Sequence, residues 1–226
     1  WGTEGLARVQ DGASPNLEGT VDTTQSVIAT VALPPPANGV RDAPSAALRI
    51  LDLYNETFDY IQNINKKLDE NIVNKLTNTV LTYSDLLTNR KTDYKFDLKK
   101  FTNISGKTGI YVQYAQVRAR NIIKNSESEN LSHQLNIKTE EERNLTIALL
   151  NLELTIKQSI KFSEPHHLAN YLYEISNLFN IFYQDENILN LDNEELKISK
   201  LLLTKYFLDT AKIVFSCLGM ETVEEM

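Results

Sequence analysis

The sequence predicts an all-α protein, a bundle of five or six helices, preceded by an irregular Pro- and Gly-rich arm over residues 1–47. Three observations lead there. From residue 46 onward, apolar residues recur at spacings of three and four, the period of one helix face. Residues 1–47 hold five of the six prolines and five of the eight glycines, whereas every lysine lies between Lys66 and Lys212. That break separates an arm, or an appended leader of different origin, from a second domain over 48–226. The one candidate strand, Val27 to Leu33, has no matching set of strands to pair with, and Pro34 to Pro36 favour extended polyproline II geometry.

Each helix has its own signature. Leu48, Leu51, Tyr54, Phe58 and Ile61 form a stripe over 46–63, and Val73, Leu76, Val80, Tyr83 and Leu87 form another over 72–87. The period fails between Thr88 and Gly109, predicting an ordered loop, and resumes from Ile110 to about Asn125. A polar surface connection follows over 126–132. Thr139 with Glu142 has the form of a capping box, and Leu145 to Ile160 is apolar on more than one face, as in a buried central helix. Ser163, Glu164 and Pro165 read as the N-cap, first-turn acid and early proline of the next helix. Asp192 with Glu195 opens the last helix, and Gly219 stops it.

Composition narrows the function. With 226 residues and 42% hydrophobic content the chain buries a core without disulfides, and no apolar run nears the roughly 18 residues of a membrane span. The single cysteine, Cys217, fits a reducing compartment and, among apolar neighbours, reads as an inert core thiol. His166 and His167 are neighbours pointing about 100° apart in a helix, a poor arrangement for chelating one metal. Gly106-Lys107-Thr108 lacks both the spacing and the preceding strand of a phosphate loop. An enzyme built on His166, His167 or Cys217 therefore has the least support, and the sequence assigns no catalytic residue and no metal ligand.

Charge is more informative than motif. Between Arg90 and Lys124 there are nine basic residues against two acids, a local +7 in a chain of net −7, which leaves −14 elsewhere. Tyr94, Phe96, Phe101, Tyr111 and Tyr114 are interleaved with them. Cations mixed with flat π-faces suit unstacked bases and their phosphates; the alternative is a solvated basic loop with its tyrosines packed beneath.

The runs Tyr83-Ser84-Asp85-Leu86, Asn89-Arg90, Asp93-Tyr94-Lys95-Phe96-Asp97 and Gly106-Lys107-Thr108-Gly109-Ile110-Tyr111-Val112-Gln113-Tyr114-Ala115, with Arg118, resemble arginyl-tRNA synthetases. So do Glu164-Pro165-His166, Leu172-Tyr173-Glu174, Phe182-Tyr183 and the ending from Leu218 to Met226. The resemblance covers about residues 48–226 and implies the helical anticodon-binding domain of that class I family. It implies that Tyr111, Gln113, Tyr114, Arg118, Tyr183 and Met226, with Lys107 and Arg90, bind tRNA. The family's catalytic core, with its His-Ile-Gly-His-like and Lys-Met-Ser-Lys-like motifs, has no counterpart in this sequence. The expectation is a cytoplasmic tRNA-binding portion of an arginine-tRNA ligase that cannot activate arginine by itself. Its partners would be arginine tRNA and a catalytic domain supplied elsewhere, with no membrane and no DNA. It would hold no cofactor, although the parent family uses ATP and Mg. The other reading is a helical protein-interaction module derived from the family, recruiting a partner through Pro34 to Pro36.

Overall fold

Apolar period and capping residues together set the helices seen in a computed structural model, which describes residues 43–92, 94–126, 135–184 and 188–226. The expectations for Val27 to Leu33, for Pro34 to Pro36 and for nearly all of the 126–132 connection lie outside them. Among the described residues there is no strand. The helices are α1 (Ala43–Ile64), α2 (Glu70–Leu87), a single turn α3 (Leu98–Phe101), α4 (Gly109–Lys124), α5 (Glu140–Leu150), α6 (Leu152–Phe162), α7 (His166–Gln184) and α8 (Glu194–Cys217). A 3-10 turn, Ile188–Asn190, precedes α8. The chain divides into two compact units, residues 1–53 and 54–226. Of the first, only 43–53 are described, all of them helical.

In the second unit α7 is the hub, packed against α2, α4, α5, α6 and α8. Leu168, Leu172, Ile175, Phe179 and Phe182 recur at three and four along its buried face. Phe179 lies flat on Phe207 of α8, with centroids 4.2 Å apart and planes 2° from parallel. The buried Tyr83 of α2 donates its hydroxyl to Ala169 C=O at 2.9 Å. A smaller core joins Ile61, Val73, Leu76, Val80, Phe101, Ile110, Val117 and Val223.

Glycine permits one close crossing. A Cβ on Gly109, at the start of α4, would lie 2.8 Å from Thr79 C=O and 3.0 Å from Thr79 Cγ2. Backbone cannot yield as a flexible side-chain tip can, so Gly109→Ala is expected to cost about 1–3 kcal/mol. A urea midpoint unchanged in this variant would show that α2 and α4 have slack.

Several sequence expectations need correction. The run 145–160 is not one buried central helix: it breaks at Asn151 into α5 and α6, and Ile147, Leu150, Leu154 and Ile160 face solvent. This extra break and the turn α3 raise the helix count above five or six. Ser163 does not cap α7; it ends α6 in the left-handed region at φ 53°, with Glu164 N–H returning to Ser159 C=O. The α8 cap is Asn193, whose side chain accepts from Leu196 N–H, rather than Asp192. Cys217 is exposed, because Val214, Phe215 and Leu218 take the inward positions around it.

Other signals hold. The Thr139–Glu142 capping box has both of its hydrogen bonds. Gly219 has φ 70°, with Gly219 N–H bonded to Ser216 C=O and Met220 N–H to Phe215 C=O. This paired closure, the Schellman pattern, turns the C-terminal tail back across α4.

Candidate nucleic-acid interface

Helices α4 and α7 run parallel, and polar side chains bridge the seam between them in register. Lys107 Nζ, just before α4, donates to Asn170 Oδ1 at 2.9 Å; Tyr111 OH donates to Asn177 Oδ1 at 3.2 Å; Arg118 donates to Asn180 Oδ1 at 2.9 Å. On α4, Tyr111, Tyr114 and Arg118 share a face at spacings of three and four. On α7, Asn170, Tyr173, Asn177 and Asn180 do the same. The rings of Tyr111 and Tyr173 meet at 5.4 Å, and Lys107 Nζ sits 5.3 Å from the Tyr173 centroid.

Arg118 organises the far end of the seam. Its guanidinium carbon lies 4.6 Å from the Tyr114 ring and 5.1 Å from the Tyr183 ring, and Arg118 also donates to Tyr114 OH at 2.8 Å. A planar, permanent cation satisfies rings and hydroxyl together, which a lysine's point charge does not. Tyr111, Tyr114, Tyr173 and Tyr183 are all half-buried, each anchored by a partner while keeping surface in solvent. Ring faces and fixed amide and guanidinium donors of this kind grip splayed bases.

The candidate residues thus separate. Tyr111, Tyr114, Arg118, Tyr183 and Lys107 lie along the seam. Arg90 is exposed in the turn after α2, a turn joined to the corner between α6 and α7 by Asn89 donating to Glu164 at 3.4 Å. Gln113 is a correction: its side chain is wholly buried, donates to Thr79 Oγ1 and Glu221 C=O, and accepts from Val223 N–H. With Gln116 donating to Val223 C=O at 2.6 Å, it latches the C-terminal tail and presents nothing to RNA. Met226 packs against the smaller core, with Phe58 and Phe96, whereas Tyr183 belongs to the larger one. The nine basic residues do not make one surface either. Arg118 turns into the seam and Arg120 pairs with Glu224 of the tail at 3.2 Å, while Arg90, Lys91, Lys95, Lys99, Lys100, Lys107 and Lys124 remain exposed. Asp185 to Asn187, beside Tyr183, lie outside the described residues. Sequence reasoning does not single out Tyr173 as a site residue, nor Asn170, Asn177 and Asn180. Their polar spacing of three, four and three opposite an apolar face is the signal that points to them.

One acid sits under the basic loop. Burial pushes the Asp85 carboxyl above the usual carboxylate range, against the hydrogen bond from Tyr94 OH at 3.3 Å, and Tyr94 itself is pushed up to about 12 by burial. A raised folded-state value means that the folded protein binds the proton more tightly, so stability is lost as pH rises from the unfolded value, about 3.9, through the folded one. Asp85→Asn keeps an acceptor for Tyr94 and is therefore expected to raise the melting temperature at neutral pH. That gain should vanish as pH falls below about 3.9. A gain that is constant with pH would rule out the charge as its origin.

Comparison with known proteins identifies the family. Residues 112–226 match the model of the DALR anticodon binding domain. An arginine-tRNA ligase of Haemophilus influenzae is 34% identical over 190 residues, covering 79% of this chain and 33% of that protein. One from Francisella tularensis is 30% identical over 188 residues, covering 79% of this chain and 32% of that protein. Among solved structures, the Plasmodium falciparum arginyl-tRNA synthetase superposes with a TM-score of 0.68 at 27% identity over 78% of this chain and 33% of its own. The Thermus thermophilus enzyme, at 23% identity and a TM-score of 0.70 over 78% of this chain and 31% of its own, shares the fold. The chain belongs to the DALR anticodon-binding domain family. It spans about a third of the length of the arginine-tRNA ligases that it matches. Among the described residues no helix is long and apolar enough to cross a membrane.

Proposed function

We propose that this chain is the tRNA-binding portion of an arginine-tRNA ligase and that it receives the anticodon loop of arginine tRNA along the α4–α7 seam. The observation that carries this reading is the set of half-buried tyrosines held by Arg118 and the asparagine ladder in a domain of this family. Unpaired bases stack on the rings, while Arg90, Lys91 and Lys107 meet backbone phosphates at the end where α7 begins. Activation of arginine, with its ATP and Mg, is assigned to residues outside this chain. The interaction-module alternative rests on Pro34 to Pro36, which lie outside the described residues, and on the acidic remainder of the chain.

Fluorescence anisotropy with arginine tRNA and a non-cognate tRNA at two salt concentrations tests the proposal. Both complexes should weaken with salt, by a slope of about 0.7–0.9 in log K per phosphate neutralised, and the cognate one should be tighter throughout. Equal affinities would remove the claim of selectivity, and salt-independent binding would remove the phosphate contacts.

A further inference from the structure

At the corner between α6 and α7 the chain brings two imidazoles and a carboxylate together. Glu164, His166 and His167 each offer one ligand atom, and these atoms all lie within 4.8 Å of one another. Both histidines belong to the first turn of α7, where neighbouring side chains leave the backbone about 100° apart, and their torsions fold the two rings toward each other. The rings sit 4.2 Å apart with 32° between their planes. His167 Nε2 is 3.2 Å from Glu164 Oε2. His166 Nδ1 is buried and makes no hydrogen bond. Burial would push the Glu164 carboxyl up, but hydrogen bonds from His167 and Asn89 and the nearby imidazoles outweigh it and hold the group below its usual range.

We propose that Glu164, His166 and His167 form a binding site for a divalent cation of the zinc class. Two imidazole nitrogens with one carboxylate oxygen are a borderline donor set that suits Zn²⁺ and disfavours Mg²⁺ or Ca²⁺, which take oxygen ligands. Bonds of about 2.0–2.1 Å place neighbouring ligand atoms about 3.3 Å apart, so the three groups close inward by torsions of half-exposed side chains. Three protein ligands leave a position for water. Asn89, donating to Glu164 Oε1, is the outer partner that orients the carboxylate. That contact ties the cation to the turn bearing Arg90 and Lys91, so a bound metal would brace the phosphate-facing loop against α7.

The test is calorimetric titration of the full chain, freed of metal with chelator, with Zn²⁺, and Co²⁺ as a spectroscopic probe. One equivalent should bind at micromolar concentration, raise the melting temperature and give Co²⁺ a visible d–d spectrum. His167→Gln should weaken binding at least tenfold, and His166→Gln, folded by circular dichroism, should do the same. Cys217→Ser, at an exposed thiol on α8, should leave it unchanged. The proposal is overturned by absence of stoichiometric binding, by wild-type affinity in the folded His167→Gln chain, or by loss of binding with Cys217→Ser.

Discussion

Replacing Glu142 by alanine is expected to cost about 3–5 kcal/mol, a large fraction of the net stability of a domain. Glu142 and Lys200 form an ion pair of 3.1 Å in which the side chains are only 4% and 7% exposed. The same carboxylate accepts from Thr139 N–H at 3.2 Å and Lys138 N–H at 2.6 Å, so it closes the cap of α5 while facing a cation on α8. Alanine removes both functions, taking from the buried Lys200 ammonium the carboxylate that faces it at 3.1 Å. Lys200→Met is expected to cost less, since the carboxylate keeps its two backbone donors and the thioether fills the space over the Phe182 ring, where Lys200 Nζ now lies 5.5 Å from the centroid. Urea unfolding should show a lower midpoint at unchanged slope, ordered wild type, Lys200→Met, Glu142→Ala. Equal losses in the two variants would mean that the cap contributes nothing.

Arg118→Ala is expected to weaken RNA binding by about 2 kcal/mol, roughly thirtyfold. Arg118 is the common partner of Tyr114, Tyr183 and Asn180, so its loss frees two rings and strips the Oδ1 of a residue only 7% exposed. The rings then no longer stand ready for a base, and their ordering cost falls on binding. Arg118→Lys should restore the salt dependence without restoring the preference for a splayed loop, because a point charge cannot serve two rings and a hydroxyl together. Anisotropy titrations with an anticodon stem-loop read both effects. Full recovery of loop preference in Arg118→Lys would reduce the residue's contribution to its charge.

The helical class, the Thr139 cap and the Gly219 stop are legible in the sequence because each is local: a period, a side chain reaching its own backbone, a left-handed position. Misplaced features depend on what lies opposite. Ile147, Leu150, Leu154 and Ile160 look as apolar as core residues in sequence, and only the absence of a packed neighbour on that side, among the described residues, puts them in solvent. Gln113 resembles a surface amide because it lies between two seam tyrosines. One position along a helix turns it by about 100°, onto Thr79 and the tail. The seam itself is half legible. Its α4 side carries charge and aromatic signals, whereas its α7 side consists of asparagines that become informative only when the two helices are seen to run in parallel.

The central claim is that unpaired bases enter the α4–α7 seam. Its most direct test is anisotropy with two RNAs of equal length and charge, the arginine anticodon stem-loop and a fully paired duplex of the same stem, at low and moderate salt. Phosphate contacts alone would bind the two alike. The account predicts that the loop binds at least tenfold tighter at both salt concentrations, since a single stacked base contributes about 1–3 kcal/mol, and that Tyr114→Ala removes most of that margin while leaving the duplex affinity unchanged. Equal affinity for loop and duplex, or a parallel loss of both in Tyr114→Ala, would contradict it.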